Sequence, residues 1–241
     1  MRHLEKLALL VALLGAVALA LILFGARLGL WQPITGFGLY RTLVNPLAAI
    51  ILVVGVVALI VHLIRKERTG AILGGVATLL GAACLMPLVA GTLNPPLRAP
   101  PIHDISTDLA NPPAFEIIDD TRAGARNPLE YGGPAVAAAQ AAAYPDIAPL
   151  QTDLAPDAAY QRALAAAQDM GWEIVASDAE RRRFEATART PVFYFADDIV
   201  VVVTEQANGS RVDMRGVSRV GGSDQGVNAA RIRDFQQRFD N

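Results

Sequence analysis

The stretch R-V-D-M-R-G-V-S-R-V-G-G-S-D-Q-G-V-N-A-A-R-I, Arg211–Ile232, reads as a charged strand, a glycine turn and a helix start in one run. Along its first half Val212, Met214, Gly216 and Ser218 alternate with Arg211, Asp213, Arg215, Val217 and Arg219, so one side suits a core and the other carries charge. Gly221-Gly222 frees the backbone to bend, and Ser223 or Asp224 is placed to cap a helix running from about Gln225 to Phe239. Asn228 falls on the same helical stripe as Ile232, Phe235 and Phe239. A polar amide therefore faces the core and needs partners, which Asp224, Ser218 or an upstream segment can supply.

Upstream of this stretch the signals alternate between helix and strand. Pro156 to Met170 has Pro in its first turn, Tyr160, Ala163, Leu164, Ala167 and Met170 on one face, and Gly171 as its stop. Short runs of strand character follow at Trp172–Ala176, Arg182–Thr190 and Val192–Glu205, the last broken near Ala196-Asp197, and Asn208-Gly209 marks a tight turn before the final strand. In the second run Phe184, Ala186 and Ala188 oppose Arg183, Glu185, Thr187 and Arg189, whereas Ile199–Val203 is apolar on both sides, which suits a central strand or one whose outer face is also covered. The expected fold class is α+β: an antiparallel sheet packed against two helices, preceded by three N-terminal transmembrane helices.

Those three spans are Leu7–Phe24, Leu47–Ile64 and Ala71–Gly91, each near the roughly 20 apolar residues that cross a bilayer core. The first is too long for a signal-peptide core of roughly 7–15 residues, and two further spans follow, so no cleavage is expected. Pro46 is read as opening the second helix, where a missing N–H costs least. Arg2 and Lys6 precede the first span and Arg65, Lys66 and Arg68 separate the second from the third, against Arg27 and Arg41 in the first loop. The positive-inside rule then places the N-terminus in the cytoplasm and everything after Gly91 on the opposite side. No Asp, Glu, Lys or Arg lies deep in a span, which argues for an anchor over a transporter, and His62 reads as interfacial.

The domain plan is a membrane anchor over 1–91, a proline-rich linker and extended arm over 92–150, and a globular domain over 151–241. The arm carries the X-Pro steps at Asn94, Ala99, Asn111 and Asn127, is laid on the domain through Ile102, Ile105, Phe115, Ile117 and Ile118, and includes a short helix at Gly133–Ala143. Of 21 basic and 23 acidic residues, seven and two lie before residue 92, which leaves 14 Arg, no Lys and 21 acids beyond it. A segment near −7 is a poor nucleic-acid binder. The single Cys84 sits in an apolar run, so the soluble part has neither a disulfide nor a cysteine metal site.

Two chemistries compete for the charged strand. Alternating Arg and Asp suits solvated cross-strand ion pairs, each worth about 0.2–1 kcal/mol. Alternatively Arg211, Arg215 and Arg219 form an outward row of guanidinium forks for a carboxylate or phosphate, beside a helix start with spare N–H groups. The candidate binding residues are therefore Arg211, Asp213, Arg215, Arg219, Ser223, Asp224, Asn228 and Arg231, with no catalytic residue, metal or cofactor expected. The competing enzymatic reading is a hydrolase using Ser223 or Ser218 with His103 and Asp224, but no G-x-S-x-G elbow and no His pair for zinc is present.

The Arg211–Ile232 stretch, with N-P-L-E-Y-G-G at Asn127, A-Y-P-D-I-A-P-L at Ala143, G-W-E-I-V at Gly171 and D-D-I-V-V at Asp197, resembles the domain of unknown function numbered fourteen ninety-nine. The resemblance covers roughly Pro100 to Phe239. It implies an uncharacterised domain, often membrane-anchored and bacterial, and transfers no catalytic residue. With the topology it implies an inner-membrane protein whose periplasmic domain recognises a protein or an anionic ligand such as a lipid.

Overall fold

A computed structural model describes residues 3–93 and 99–240. They form two compact units, residues 3–93 with Val192–Tyr194, and residues 99–191 with 195–240.

The first unit is a bundle of α1 (Leu4–Phe24), α2 (Pro33–Ile64) and α3 (Arg68–Leu93). All three are long and apolar enough to cross a membrane. Pro46 does not open α2; it lies inside it, because Pro33 already supplies the favoured first-turn proline after the extended Gln32. Small residues set the packing of α2 on α3. A Cβ added at Gly55 would lie 2.5 Å from the Thr78 nitrogen, and one at Gly74 or Gly81 would lie 2.5 Å from the nitrogen of Leu59 or Leu52. Backbones therefore touch, which is how apolar helices associate where lipid is as oily as a side chain.

The second unit runs β1 (Asp104–Ser106), α4 (Gly133–Ala143), β2 (Leu150–Thr152), α5 (Pro156–Asp169), β3 (Glu173–Asp178), β4 (Arg183–Arg189), β5 (Ala196–Gln206), β6 (Gly209–Ser218) and α6 (Val227–Asp240). Its sheet is antiparallel throughout, in the order β1-β6-β5-β4-β3, with β2 also on β6. β1 takes Arg215–Val217 as partners and β2 takes Ser210–Val212, so two short strands share the outer edge of β6. The β5–β6 hairpin closes through Gln206 and Gly209, the latter at φ 126, a conformation only glycine adopts freely.

One face of the sheet meets α5 and α6. Phe184, Ala186, Ile199, Val201, Val212 and Met214 pack there with Tyr160, Ala163, Ile232, Phe235 and Phe239. α5 begins with Pro156 at its first position and stops at Met170 before Gly171, φ 71, so its small-residue stripe Ala159, Ala163, Ala166 and Ala167 lies flat on the strands. The other face is equally buried, with Glu185, Thr187, Asp198, Val200, Asp213, Arg215 and Val217 covered. The hydrogen bonds that cover them come from 107–129, described next.

Candidate functional site

Successive outward positions of β6 carry Arg211, Asp213 and Arg215, and Arg219 follows the strand. The expectation of an outward, solvated row does not hold. Arg215 is 3% exposed. Its Nε and Nη2 donate to Asp104 Oδ1 and Oδ2 at 2.9 and 2.7 Å, Nη2 also donates to the Leu129 carbonyl at 2.7 Å, and Nη1 donates to the Pro113 carbonyl at 3.2 Å. The rings of Phe115 and Tyr131 flank its guanidinium at 5.5 and 5.3 Å. A bidentate carboxylate, two carbonyls and two aromatic faces leave little for a ligand.

The rest of the row is tied in the same way. Arg219 shares Asp198 with Arg122: Arg219 Nη2 donates to Oδ1 at 2.7 Å and Arg122 Nε donates to Oδ2 at 2.6 Å, and this carboxylate has no exposed surface. Arg219 also reaches the Ala123 carbonyl at 3.0 Å, and Arg122 reaches the Asn127 carbonyl at 2.8 Å. Arg211, the most open of the three, donates to Asp213 Oδ2 at 2.7 Å and to Asp108 Oδ2 at 2.5 Å. Asp108 is held below the ordinary carboxylate range by the Asn111 N–H first and also by Ala110 and Arg211. Asp213 accepts from Thr107 Oγ1 at 3.0 Å.

Three groups outside the expected site complete the layer. Glu185 accepts the consecutive N–H groups of Glu116, Ile117 and Ile118, at 2.6 Å, 3.1 Å and 2.7 Å. The Gln140 side chain brackets Ser106, accepting its N–H at 2.9 Å and donating to its carbonyl at 2.6 Å. Asn127 Nδ2 donates to the carbonyls of Ser218 and Gly221. The sequence signal for them was slight: Glu185 and Asp198 occupy the same face as the arginine row, and each X-Pro loop between 108 and 131 carries its own Asp or Asn.

The turn and α6 hold the remaining expected residues. Asp224 Oδ1 and Oδ2 accept the N–H groups of Gly226 and Asn228 at 3.0 and 2.8 Å, so the protein's own carboxylate occupies the anion position at this helix start. Burial raises its pKa against those two bonds. Ser223 Oγ accepts the Gln225 N–H at 3.2 Å. Asn228 Nδ2 donates to Ser218 Oγ at 3.0 Å, while its Oδ1 accepts from Arg231, whose Nη2 donates to Asp197 Oδ2 at 2.6 Å. His103 meets Ser218 only through the backbone, its carbonyl accepting the Ser218 N–H at 2.9 Å. The hydroxyls of the hydrolase reading are thus engaged by Asn228 and Gln225 and not by the imidazole.

A profile described as protein of unknown function (DUF1499) matches residues 104–239. The chain belongs to the DUF1499 family. No curated protein matches it. The DUF1499 match opens on Asp104, the partner of Arg215, and closes on Phe239, the last core residue of α6. It takes in the covering segment and both sheet faces as one unit.

Two open clefts flank the covering segment of the DUF1499 domain, and both are bordered by Glu116. One, of about 480 Å³, is lined by Ile117, Ser177, Asp178, Arg181, Arg183 and Glu185 among others. The other, of about 440 Å³, is lined by Phe115, Asp119, Asp120, Glu130, Tyr131 and Arg215 among others. On the wall of the first, Ile117 is 63% exposed. Arg181, the larger influence, and Arg183 hold the Glu116 carboxyl below its ordinary range.

Proposed function

We propose that the DUF1499 domain is a non-enzymatic recognition module, held outside the cytoplasm of a bacterial inner membrane by the three helices, and that it docks a protein partner on the segment 112–131. The observation that carries this reading is the saturation of the arginine row. Its guanidinium groups already serve carboxylates of the sheet, Asp198 and Asp213, and carboxylates and carbonyls of 104–129, so the sheet face is a platform and the covering segment is what a partner can reach. The second cleft offers Glu116, Asp119, Asp120 and Glu130 against a guanidinium already neutralised by Asp104, which favours basic side chains on the partner over the anionic ligand expected from sequence.

A photo-crosslinking residue at Ile117 of the full-length protein in its own membranes tests the reading. The expected result is one discrete adduct that weakens with salt and disappears with E130K, and none from the same probe at Asp234 on α6. Equal labelling from both positions, or none from Ile117, counts against it. Topology is read separately: a phosphatase reporter is expected to be active after Asn241 and inactive at Lys66, as the basic residues beside α1 and between α2 and α3 require.

A further inference from the structure

The sheet of the DUF1499 domain has one edge that no described residue closes. The outer edge of β6 takes β1 and β2, whereas β3 pairs with β4 alone. The ladder fixes which backbone groups of β3 face outward. Just before β4 the Arg182 carbonyl accepts the Val203 N–H at 2.9 Å, so even-numbered residues of β4 bond toward β5, and Arg183, Glu185 and Thr187 bond toward β3. Their opposites Asp178, Ala176 and Glu173 bond inward, and Ile174 and Ser177 turn their N–H and C=O groups to the open side. Among the described residues nothing bonds to those groups, and Ser177 is exposed. The edge is also acidic. Arg181 and Arg183 both serve Glu116, and Arg183 serves Glu185 as well. Glu180 has no partner among the described residues, Glu173 has only a 3.9 Å contact with Arg189, and both acids are exposed. Asp178 accepts the Arg181 N–H through Oδ1.

We propose that β3 receives an antiparallel strand from a partner protein, a segment in which basic and apolar residues alternate. The proposal rests on the recognition role given above and adds the form in which the partner's backbone is held. Ile174 and Ser177 lie on the core face of the sheet, opposite Ala186 and Phe184, so the partner residues that bond to them place apolar side chains over the end of the core. The residues between point to the other face. There Ala176 and Asp178 border the first cleft and Glu173 adds a third position, so long basic side chains pass over the small Ala176 to reach the carboxylates. A second copy of this chain does not fit: the register that joins Ile174 to Ser177 of the other copy sets Glu173 opposite Asp178 at both ends. Charges and the bulge at Val175 keep like edges apart, and the charge that repels an acidic edge attracts a basic strand. Short ladders already serve in this domain, since β1 and β2 are each three residues long and β1 is fixed on β6 by Asp104 with Arg215.

The test uses the full-length protein in phosphatidylcholine nanodiscs and the peptide acetyl-Lys-Val-Lys-Val-Lys-Val-Lys-Val-amide, its Kd read from the fluorescence anisotropy of a labelled copy. With the peptide at twice its Kd, amide exchange at Ile174 and Ser177 is expected to slow about threefold, the ratio that occupancy dictates, while exchange in α5 stays unchanged. The peptide N-methylated at its valines, which lacks the N–H groups aimed at β3, and the peptide with Glu in place of Lys should give no protection. N-methylation at the lysines should leave protection intact. E173K/E180K, at two exposed positions, should weaken binding by about fivefold or more. E130K, in the second cleft, should leave it unchanged, so this proposal and the docking on 112–131 fail separately. Several results overturn the proposal: no protection by the Lys-Val peptide, equal protection by its valine-methylated or Glu form, or loss on methylating the lysines. So do an unchanged affinity in E173K/E180K, a loss in E130K, and protection that grows with protein concentration alone, as a second copy would give.

Discussion

Replacing Arg215 by Met removes the guanidinium while keeping an unbranched stem of similar length. It leaves the Asp104 carboxylate, itself 3% exposed, without its bidentate partner, and strips donors from the carbonyls of Pro113 and Leu129. Breaking one side of a buried ion pair costs about 3–5 kcal/mol, because the surviving charge is stranded away from water. D104N strands the arginine instead and is expected to cost a similar amount. If the two effects were independent, the double variant R215M/D104N would lose about 6–10 kcal/mol, much of the stability of an ordinary domain. No stranded charge remains in it, and what persists is two under-bonded carbonyls at about 1–3 kcal/mol each. The double variant is therefore expected to be no less stable than R215M, which carries the same under-bonded carbonyls and a stranded carboxylate besides. Urea unfolding of the detergent-solubilised full-length protein, followed by near-ultraviolet circular dichroism of the soluble domain, measures the cycle. A single-variant loss below about 1 kcal/mol, or additive losses, would refute the claim that this pair is buried and coupled.

Glu185 gives a local counterpart. E185A should raise hydrogen exchange at Ile118, whose buried N–H loses its acceptor at a cost of about 1–3 kcal/mol, more than at exposed Ile117, which water can serve. Gly216 lies against Asn228, where a Cβ would sit 2.7 Å from Oδ1 of an amide held by Ser218 and Arg231. G216A should cost about 1–3 kcal/mol by overpacking, read as a lowered melting temperature, and G222A, where a Cβ meets nothing, should cost less than half as much. For Asp224 the sign follows from its raised folded pKa: the folded state holds the proton more tightly, so stability falls as pH rises from the ordinary carboxyl value of 3.8 through the folded one. D224N keeps an oxygen to cap α6 and should flatten that slope in melting curves taken against pH, whereas an unchanged slope would assign it to another group.

The spans were legible because roughly 20 apolar residues have one common use, β4 and β6 because their alternation persists over seven or more residues, and β5 because its β-branched run Ile199–Val203 is flanked by strand partners on both sides. β1 and β2 were not legible: each is three residues long, lies among prolines, and pairs with a strand far away in sequence, β1 with residues 215–217 and β2 with residues 210–212. The position of Pro46 misled for a related reason. A proline inside a helix and a proline starting one look alike until the N-terminal signal at Gln32-Pro33 is weighed against it, and an apolar bundle tolerates the missing N–H. The fate of the arginine row was hidden more deeply, since Arg-Asp alternation is identical whether water or a covering segment lies above it. The run Ile199–Val203, apolar on both faces, was the one local sign that the outer face is closed, and Val200, with no exposed surface, bears it out.

Why the layer is ionic follows from what it must specify. The covering segment is mostly irregular, so no ladder of backbone bonds fixes its place beyond the three residues of β1. An apolar layer would hold it by area alone, and area is indifferent to a shift of one residue. A carboxylate facing a guanidinium is not indifferent: with Asp104 aligned to Val217, its side chain reaches Arg215, and a slip by one residue turns it to the core face and leaves both charges unpaired. The same reasoning covers Asp108 with Arg211, Glu185 with the N–H groups of 116–118, and Arg122 with Asp198, so the segment is registered at four points along its length. What these contacts contribute is a single position for the surface above them, and with it fixed walls for the two clefts beside Glu116.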